Sequence, residues 1–302
     1  MEDMITGLCP QCGHTLHIPA ELASFSCMYC GTRLTKEQLA AEPPAAQEAD
    51  EDRAAYYDRA VSRLGWRIKN FGGYQKKIMR DVFFEAFETY ETGCAPVIQE
   101  LARGVAPEQQ TQLLGRAAAA MLDELEAGWQ KKGDMEDEKI VLAIFFVPMV
   151  RKQQLPISEE FVTILQKQWV ERYPKSPFYL GDYESISGGF RKKFLGLCFI
   201  TTAVCQELGK PDDCEELTAF RAFRDGYLRS QPDGEALIRE YYNIAPGIVT
   251  CINTCSDRHA SYARIREEFL APCYQDLLAG RNESCKARYV RMVRDLEREY
   301  LS

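Results

Sequence analysis

The segment 9–31, CPQCGHTLHIPAELASFSCMYCG, decides the fold of the N-terminal part of this chain. It contains two Cys-x-x-Cys pairs, each followed by a glycine, and fourteen residues separate the pairs. Each pair makes a tight turn that directs two sulfurs at one ion, and the glycine after it tolerates the backbone of that turn. The spacing therefore predicts one structural zinc ion bound by Cys9, Cys12, Cys27 and Cys30. A module this small buries too little surface to fold alone, so the metal supplies its folding energy.

The residues between the two pairs, Leu16, Ile18 and Leu22 among them, suit a short β hairpin. A redox Cys-x-x-Cys motif or a chance cluster would also place cysteines together, but two pairs at this spacing favour a metal site. The segment resembles the zinc ribbons found at the N-termini of many bacterial proteins. The resemblance implies a structural ion held by four thiolates with no open position, which leaves His14 and His17 as surface or hairpin residues.

The charge of this ribbon module, residues 1–35, indicates what kind of partner it has. Zinc ribbons bind nucleic acid, bind protein or only cap a terminus. One arginine and no lysine stand against Glu2, Asp3 and Glu21 here, and the whole chain carries a net charge of −8. Because phosphate binding depends on clustered Lys and Arg, we expect a protein partner for the ribbon and no nucleic acid.

The apolar content of the chain is that of an ordinary globular protein, at 46% of 302 residues. Its longest apolar runs, 140–150 and 195–205, are about half of the roughly 20 residues that a membrane helix needs. They predict buried core helices and no membrane partner. The first residues, Met1-Glu2-Asp3, are unlike a secretory signal, so we expect a cytoplasmic location. In that compartment the twelve cysteines serve as metal ligands, core residues or reactive thiols rather than in disulfides.

An acidic, proline-containing stretch separates the ribbon from the rest of the chain. Residues 36–52 include Pro43-Pro44 and predict a flexible acidic linker. After it, apolar residues recur at helical spacing to the end of the chain, and no convincing strand pattern interrupts them. The predicted fold is therefore mostly α: a small β hairpin module with four cysteines, followed by an all-helical body.

A break at 173–177 and a Gly-rich loop at 187–189 divide the helical body into residues 53–175 and 176–302. Whether the two parts share one core or form two domains stays open at this point. In the second part we expect helices near 198–208, 213–229, 234–243, 246–256, 260–278 and 282–300.

Three blocks of the C-terminal part combine nucleophilic, charged and aromatic residues. They read CFITTAVC at 198–205, LTAFRAFRDGYL at 217–228 and GEALIREYYNIAP at 234–246. The first block predicts a buried helix that begins at Cys198 and follows a basic loop with Arg191, Lys192 and Lys193. A thiol at a helix N-terminus beside positive charge has a lowered pKa and is reactive. The alternative, which physical reasoning alone favours, is a cysteine that only packs in the core.

The three blocks resemble, in order and spacing, the CFI-box C-terminal domain of bacterial proteins, an uncharacterised family whose hallmark begins Cys-Phe-Ile-x-Thr-Ala. The resemblance covers about residues 196–256. The matching residues are Cys198, Phe199, Ile200, Thr202, Ala203, Arg221, Phe223, Arg224, Asp225, Tyr241, Tyr242 and Pro246. The chain departs from the commoner Cys-Phe-Ile-Ala-Thr-Ala-Ala-Tyr-Gly form at Thr201, Cys205 and Gln206, so no role of that Tyr-Gly pair is carried over.

The polar side chains of these blocks include more nucleophilic, charged and proton-donating groups than helix packing requires. The candidate catalytic residues are Cys198, Thr202, Arg221, Arg224, Asp225, Tyr241 and Tyr242. In one arrangement the cysteine is the nucleophile, an arginine holds an anionic group, the aspartate acts as a base or orients the arginine, and a tyrosine donates a proton. In the competing arrangement an arginine–aspartate or arginine–tyrosine network only fixes the helix packing.

The other cysteines raise the question of a second metal site. Cys251, Cys255 and His259 recur at i, i+4 and i+8, and Cys273 and Cys285 might complete the ligand set. The same spacing describes an ordinary core stripe, so a second site stays open. The simplest interpretation of the remaining cysteines, Cys94, Cys205 and Cys214, is that they are core or surface thiols.

Two functions from different classes remain. The chain has no Walker loop, Gly-x-Gly-x-x-Gly, His-Glu-x-x-His or Gly-x-Ser-x-Gly motif, so the common nucleotide and hydrolase chemistries are unsupported. The first hypothesis is an interaction or adaptor protein whose ribbon docks a partner and whose helical body is a scaffold or ligand-binding module. The second is a cysteine-dependent enzyme, or a covalently modified protein, centred on Cys198.

Overall fold

The computed structural model describes residues 4–11, 15–39, 53–131, 133–191 and 198–301. Within these ranges, β strands occur only near the N-terminus, and the remaining regular structure is helical. The fold is therefore mostly α with a small N-terminal hairpin module, which confirms the predicted fold class. Of the helices described, none has both the length and the apolar content that crossing a membrane requires.

The N-terminal module consists of two antiparallel β hairpins. Strands β1 (Met4–Leu8) and β2 (Thr15–Pro19) form the first, and β3 (Ser24–Ser26) and β4 (Arg33–Thr35) form the second. Cys9 directly follows β1 and Cys27 directly follows β3, so the first cysteine of each pair lies where one strand of a hairpin ends. Gly31, the glycine after the second pair, has a φ of 74°, a left-handed backbone that glycine adopts without steric cost.

The core of this module is made of few side chains. Its buried members are Cys9, Leu16, Ile18, Cys27 and Leu34, and Ile5, Phe25 and Leu39 pack against them. Two of the three apolar residues expected in the hairpin are thus buried, whereas Leu22 is 43% exposed. A core in which two of five members are cysteines is too small to hold the hairpins by apolar burial alone.

The chain divides into two compact units. The first comprises Met1–Tyr74 and Glu85–Tyr183, and the second comprises Gln75–Phe84 and Glu184–Ser302. The helices of the first unit, in chain order, are α1 (Arg53–Lys69), α2 (Phe83–Gly104), α3 (Gln110–Glu126), α4 (Asp134–Val141), α5 (Val147–Lys152) and α6 (Ser158–Arg172). A π-helical segment, Leu142–Phe146, joins α4 to α5, and short 3-10 turns lie at Lys36–Gln38, Tyr74–Lys77 and Pro107–Gln109.

Helix α3 lies at the centre of the first unit and packs on both α1 and α6. The predicted core run 140–150 is buried throughout. Trp169 is buried on α6 and its Nε1 donates to Ser176 O at 2.7 Å, which satisfies the one polar atom of that ring. A buried ion pair joins Arg63 Nη1 to Glu100 Oε2 at 2.8 Å.

The second unit is built around its longest helix. Its helices are α7 (Tyr183–Arg191), α8 (Phe199–Glu207), α9 (Glu215–Ala222), α10 (Gly234–Cys255), α11 (Arg258–Ile265), α12 (Ala271–Leu278) and α13 (Asn282–Tyr300). π-helical segments continue α9 as Phe223–Leu228 and join α11 to α12 as Arg266–Leu270. Helix α10 carries the third sequence block and packs on α8, on the π-helical segment Phe223–Leu228, on α11 and on α13, so parts of the first two blocks meet the third.

Two predicted breaks are helical in the structure. The Gly-rich loop expected at 187–189 lies inside α7, where Phe190 is buried and stacks on Phe83 with ring centroids 4.2 Å apart. The gap expected between 243 and 246 lies inside α10. A Cβ on Gly247 would come within 1.9 Å of Ile78 O, so this glycine permits close packing rather than a turn. Tertiary contacts outweigh the helix-breaking tendency of Pro246 and the glycines.

Candidate functional site

Three of the four predicted zinc ligands lie together at the ends of the two hairpins. The Sγ atoms of Cys9, Cys27 and Cys30 all lie within 4.8 Å of one another, and Cys9 Sγ is 3.7 Å from Cys30 Sγ. In a tetrahedral site with Zn–S bonds of about 2.3 Å, neighbouring sulfurs are about 3.8 Å apart. The described sulfurs therefore fit a tetrahedral thiolate site.

The surroundings of the sulfurs also suit a bound cation. The Cys30 thiol donates to Thr32 Oγ1 at 3.3 Å; with a cation bound, the thiolate would instead accept a hydrogen bond from that hydroxyl, which would orient it. The fourth predicted ligand, Cys12, lies outside the described residues, as does His14. His17 is on the exposed face of β2, where its Nδ1 lies 2.9 Å from Thr6 Oγ1. It is a hairpin residue, as predicted.

The hairpin module also presents apolar side chains to solvent. Among the described residues, the large apolar side chains that are exposed are Leu22, Met28, Tyr29, Tyr179, Leu208 and Leu278. Three of these six belong to the module. Met28 is 76% exposed and Tyr29 is 54% exposed, and both lie between Cys27 and Cys30 in the second turn. We call residues 27–30 the second knuckle.

Cys198 occupies the position that the sequence predicts, at the start of a buried helix. It is the N-cap of α8, and its carbonyl accepts a hydrogen bond from Thr202 N at 2.6 Å. Its side chain points into the second unit, and the residue is only 4% exposed. The described part of the basic loop that was expected to activate Cys198 is not beside it. Arg191 is exposed and pairs with Glu184. Lys192 and Lys193 lie outside the described residues.

Arg224 connects the three sequence blocks. Its Nη1 donates to Cys198 Sγ at 3.6 Å and to Tyr242 Oη at 2.9 Å. Its Nε and Nη2 bind both carboxylate oxygens of Asp225 at 2.8 and 2.6 Å. A two-pronged contact of this kind fixes the plane of the guanidinium. Arg224 is buried on the π-helical segment that follows α9, and such segments often lie at functional sites.

Two tyrosines that face the start of α8 form a chain of hydroxyls with a threonine. Tyr241 Oη accepts a hydrogen bond from Ile200 N at 2.9 Å and one from Tyr289 Oη at 3.3 Å, and Tyr289 Oη is 3.1 Å from Thr201 Oγ1. Ile200 N is one of the helix-start donors that lack a partner within the helix. Tyr241 therefore caps α8, a structural role that the sequence did not suggest.

A small cavity ends at this cluster. Its volume is about 70 Å³, and its walls are mostly apolar. The lining residues are Cys198, Phe220, Phe223, Arg224, Leu228, Leu237, Ile238, Glu240, Tyr241, Tyr289, Val290, Val293 and Arg294. An apolar cavity of about 150 Å³ holds benzene, so this one has room for a short alkyl group. The ion pair between Arg294 and Glu240 is partly exposed and marks its solvent side.

Electrostatics keeps the cysteine protonated at neutral pH. Burial raises the pKa of the Cys198 thiol, and the charges of Arg224 and Arg221 offset only part of this effect. The lowered pKa that the reactive-cysteine hypothesis required is therefore not found, because desolvation outweighs the nearby positive charge. The hydrogen bonds to Arg224 lower the pKa of Asp225, so that carboxylate stays ionised. Burial raises the pKa of Tyr242 and of Tyr241.

Two of the candidate residues lie apart from the cluster around Cys198. Arg221 binds Asp212 through its carbonyl at 2.7 Å and its Oδ1 at 2.8 Å, and acts on the cysteine only through its charge. Thr202 lines a different groove, and its buried Oγ1 has no hydrogen-bond partner among the described residues. The sequence missed Tyr289, which lies on α13 outside the three blocks and whose only signal is the helical register of that segment.

The second metal site considered for the C-terminal part does not form among the described residues. Helix α10 ends at Cys255, and His259 lies on α11 with its Nδ1 2.8 Å from Glu207 Oε1. Cys251 Sγ instead lies 3.6 Å from Tyr300 O. In the described part of the chain, the cluster at Cys9 is the only group of three or more ligand side chains close enough to share an ion.

A second cavity, of about 500 Å³, lies in the first unit and was not predicted. Trp129 and Glu138 line it, and Trp129 Nε1 and Glu138 Oε2 are buried without hydrogen-bond partners in the described structure. Burial, with smaller contributions from Asp137 and Asp134, raises the pKa of Glu138 from its ordinary 4.5 to about 7. The local sequence gave no sign of this shift, because it depends on the packing around α4.

Comparisons of this chain with protein-family models, with curated proteins and with solved structures gave no match.

Proposed function

We propose that this chain is a zinc-dependent adaptor protein that docks a protein partner through the second knuckle of its ribbon. The observation that carries the proposal is the exposure of Met28 and Tyr29 between the sulfur ligands Cys27 and Cys30. Methionine and tyrosine are enriched at protein interfaces, where they bury large areas at low cost in conformational entropy. Two such side chains on one tight turn form a compact contact surface.

The backbone of the knuckle is held in place for such a contact. Gly31 N donates to Cys27 O at 2.8 Å, and Cys27 N donates to Thr32 O at 2.8 Å. A zinc ion bound by Cys9, Cys12, Cys27 and Cys30 would supply the folding energy of the module and no catalytic chemistry. A turn fixed by backbone hydrogen bonds and a metal loses little entropy when a partner binds.

Charge favours a protein partner over nucleic acid. The described part of the ribbon contains one arginine, Arg33, and one acidic residue, Glu21. A phosphate backbone requires clustered positive charge, which this surface lacks. A partner with an apolar groove matches two apolar side chains that flank no strong charge. The linker predicted for residues 36–52 would let the ribbon reach such a partner independently of the helical body.

The test compares the wild-type full-length chain with a knuckle variant, Met28→Ser/Tyr29→Ser. The matched control, Tyr179→Ser/Leu278→Ser, removes two apolar side chains of similar exposure elsewhere on the chain. Zinc content is measured first, and we expect one ion per chain in all three proteins. Each tagged protein is then used to capture partners in the cells that make it.

We expect one partner to be retained by the wild type and the control and lost from the knuckle variant. An identical set of captured proteins for all three chains would contradict docking through the knuckle. Zinc-free wild-type protein with a folded ribbon would contradict the proposal that zinc supplies the folding energy of the ribbon.

A second candidate function, covalent chemistry at Cys198, is favoured by the cavity that ends at its thiol and by Arg224 Nη1 at 3.6 Å. Resemblance to the CFI-box domain supports the same site. Intact-mass measurement of the native protein and of Cys198→Ser, before and after mild iodoacetamide treatment, tests it. An endogenous adduct or rapid labelling that depends on Cys198 would support this function. An unmodified and inert Cys198 would contradict covalent chemistry at this residue, and the adaptor would then be the one proposed function that remains.

A further inference from the structure

Two further thiols of the second unit, Cys205 and Cys214, lie at the opposite end of α8 from Cys198. Cys205 Sγ is 3.9 Å from Cys214 Sγ, and the two residues are nine positions apart in the chain. A disulfide requires a sulfur–sulfur distance of about 2.05 Å. The two sulfurs therefore need to approach by about 2 Å, a distance that side-chain rotation with a small backbone shift can supply.

The backbone holds both cysteines at the ends of facing helices. Cys205 lies in the last turn of α8, where Lys210 N donates to its carbonyl at 2.9 Å and Gly209 has a φ of 68°. These contacts are those of a Schellman helix end. Cys214 is the N-cap of α9, and its N donates to Pro211 O at 3.1 Å. The loop between them is thus a fixed turn that keeps the sulfurs facing each other.

The two thiols differ in exposure in a way that suits oxidation. Cys205 is buried, whereas Cys214 is partly exposed, so a small oxidant reaches Cys214 first. Burial and the neighbouring Cys214 raise the pKa of Cys205 to about 12, so Cys205 is protonated at neutral pH and is not the first thiol to react with peroxide. A pair with one accessible and one adjacent protected thiol is the arrangement of an attacking and a resolving cysteine.

We propose that Cys205 and Cys214 form a peroxide-sensitive dithiol that closes to a disulfide. In the first step Cys214 sulfur attacks one oxygen of hydrogen peroxide, the O–O bond breaks, and water leaves with the thiol proton. In the second step Cys205 sulfur attacks the resulting Cys214 sulfenic acid, the S–O bond breaks, and a second water leaves with the Cys205 proton. The two thiols lose two electrons, and one peroxide becomes two waters.

The disulfide would join two elements that build the neighbouring site. Helix α8 begins at Cys198, and α9 continues into the π-helical segment that carries Arg224. A bond between the end of α8 and the start of α9 limits how far these two elements move apart. The oxidation state of the pair is therefore coupled to the geometry around Cys198, whichever function that site has.

The chain contains a matched control pair. Cys273 Sγ lies 3.8 Å from Cys285 O, and a hydrogen bond between their thiols raises the pKa of Cys273. Both of these residues are fully buried. Their thiols are within hydrogen-bond contact of each other, but neither is accessible to peroxide. If accessibility decides which pair reacts, only the Cys205–Cys214 pair closes.

The experiment treats the zinc-loaded full-length protein with hydrogen peroxide, blocks remaining thiols with iodoacetamide in denaturant, and digests with a protease that cleaves after glutamate. Cleavage after Glu207 separates Cys205 from Cys214 unless a disulfide joins them. We expect a linked peptide 2 Da lighter than the two thiol peptides, reversed by dithiothreitol, and about tenfold or more abundant than any Cys273–Cys285 link. In Cys205→Ser, Cys214 should accumulate as a sulfenic acid that dimedone traps.

Two results would overturn the proposal. One is that peroxide oxidises Cys214 to the same extent in the wild type and in Cys205→Ser, and that the wild type forms no linked peptide. The other is equal linkage at Cys273–Cys285, which would show that oxidation follows unfolding rather than accessibility. Far-UV circular dichroism of each variant before treatment establishes that the helices are intact.

Discussion

Glu138 provides the sharpest quantitative test of the structure. It lies on α4 in the first unit, its Oε2 has no hydrogen-bond partner among the described residues, and burial raises its pKa from 4.5 to about 7. The folded protein therefore holds this proton more tightly than the unfolded chain does. As pH rises from 4.5 to 7, the unfolded state releases the proton first, so the folded state loses stability across that window.

The size of this loss follows from the two pKa values. Each pH unit between them is worth about 1.4 kcal/mol, so ionised Glu138 costs the folded state about 3 kcal/mol above pH 7. At pH 5 most of that cost is absent, and about 1 kcal/mol remains. The substitution Glu138→Gln removes the ionisation and keeps the shape. We expect the stability of Glu138→Gln relative to wild type to rise by about 2.5 kcal/mol from pH 5 to pH 8.

Urea unfolding followed by tryptophan fluorescence measures this difference, since Trp129 lines the same cavity as Glu138. Effects of pH on the rest of the protein are common to both chains and cancel in the comparison. The control is Glu108→Gln at an exposed position, for which we expect the same difference from wild type at both pH values. A Glu138→Gln effect that is equal at pH 5 and pH 8 would refute the assignment of a buried, uncompensated carboxyl.

Three further changes test other parts of the structure. Gly247→Ala should destabilise the second unit by about 1–3 kcal/mol in urea unfolding, because its Cβ would meet Ile78 O at 1.9 Å; no loss of stability would contradict that packing. Asp225→Asn removes a negative charge that raises the pKa of Cys198. Alkylation of Cys198 at pH 8 should therefore be faster in this variant than in the wild type. A slower rate would show that Asp225 mainly orders the site. Cys27→Ser should reduce bound zinc well below one ion per chain while the far-UV helical signal is retained, and full zinc content in this variant would exclude Cys27 as a ligand.

The features that the sequence predicted correctly are local ones. The small hairpin module depends on cysteine and glycine spacing within about 25 residues, and three sulfurs lie where that spacing puts them. The sequence predicted one hairpin between the cysteine pairs, whereas the structure has two, β1–β2 and β3–β4. The start of α8 at Cys198 follows from an apolar run after a polar loop. In both cases the determinants lie within one element and its turn, so no knowledge of long-range packing is needed.

The features that were missed depend on contacts between distant segments. A gap between helices was expected at 243–246, but the segment 75–84 packs against α10 there, and Arg80 N donates to Asn243 O at 2.9 Å. The capping of α8 by Tyr241 and the raised pKa of Glu138 likewise require residues that are far apart in the chain. Sequence spacing carries no information about such neighbours, because the same residues fit a turn or an exposed surface equally well.

The geometry at Cys198 explains why the pKa of its thiol is raised rather than lowered. Among the described residues, Arg224 brings positive charge to hydrogen-bond distance of the sulfur, but Asp225 binds that guanidinium through both carboxylate oxygens. The field at the sulfur is thus that of an ion pair rather than of a free cation, and it is too weak to offset the burial of the thiol. Arg224 also donates to Tyr242 Oη and lines the cavity, so the residue that contacts the Cys198 thiol is also part of the wall of the pocket around it.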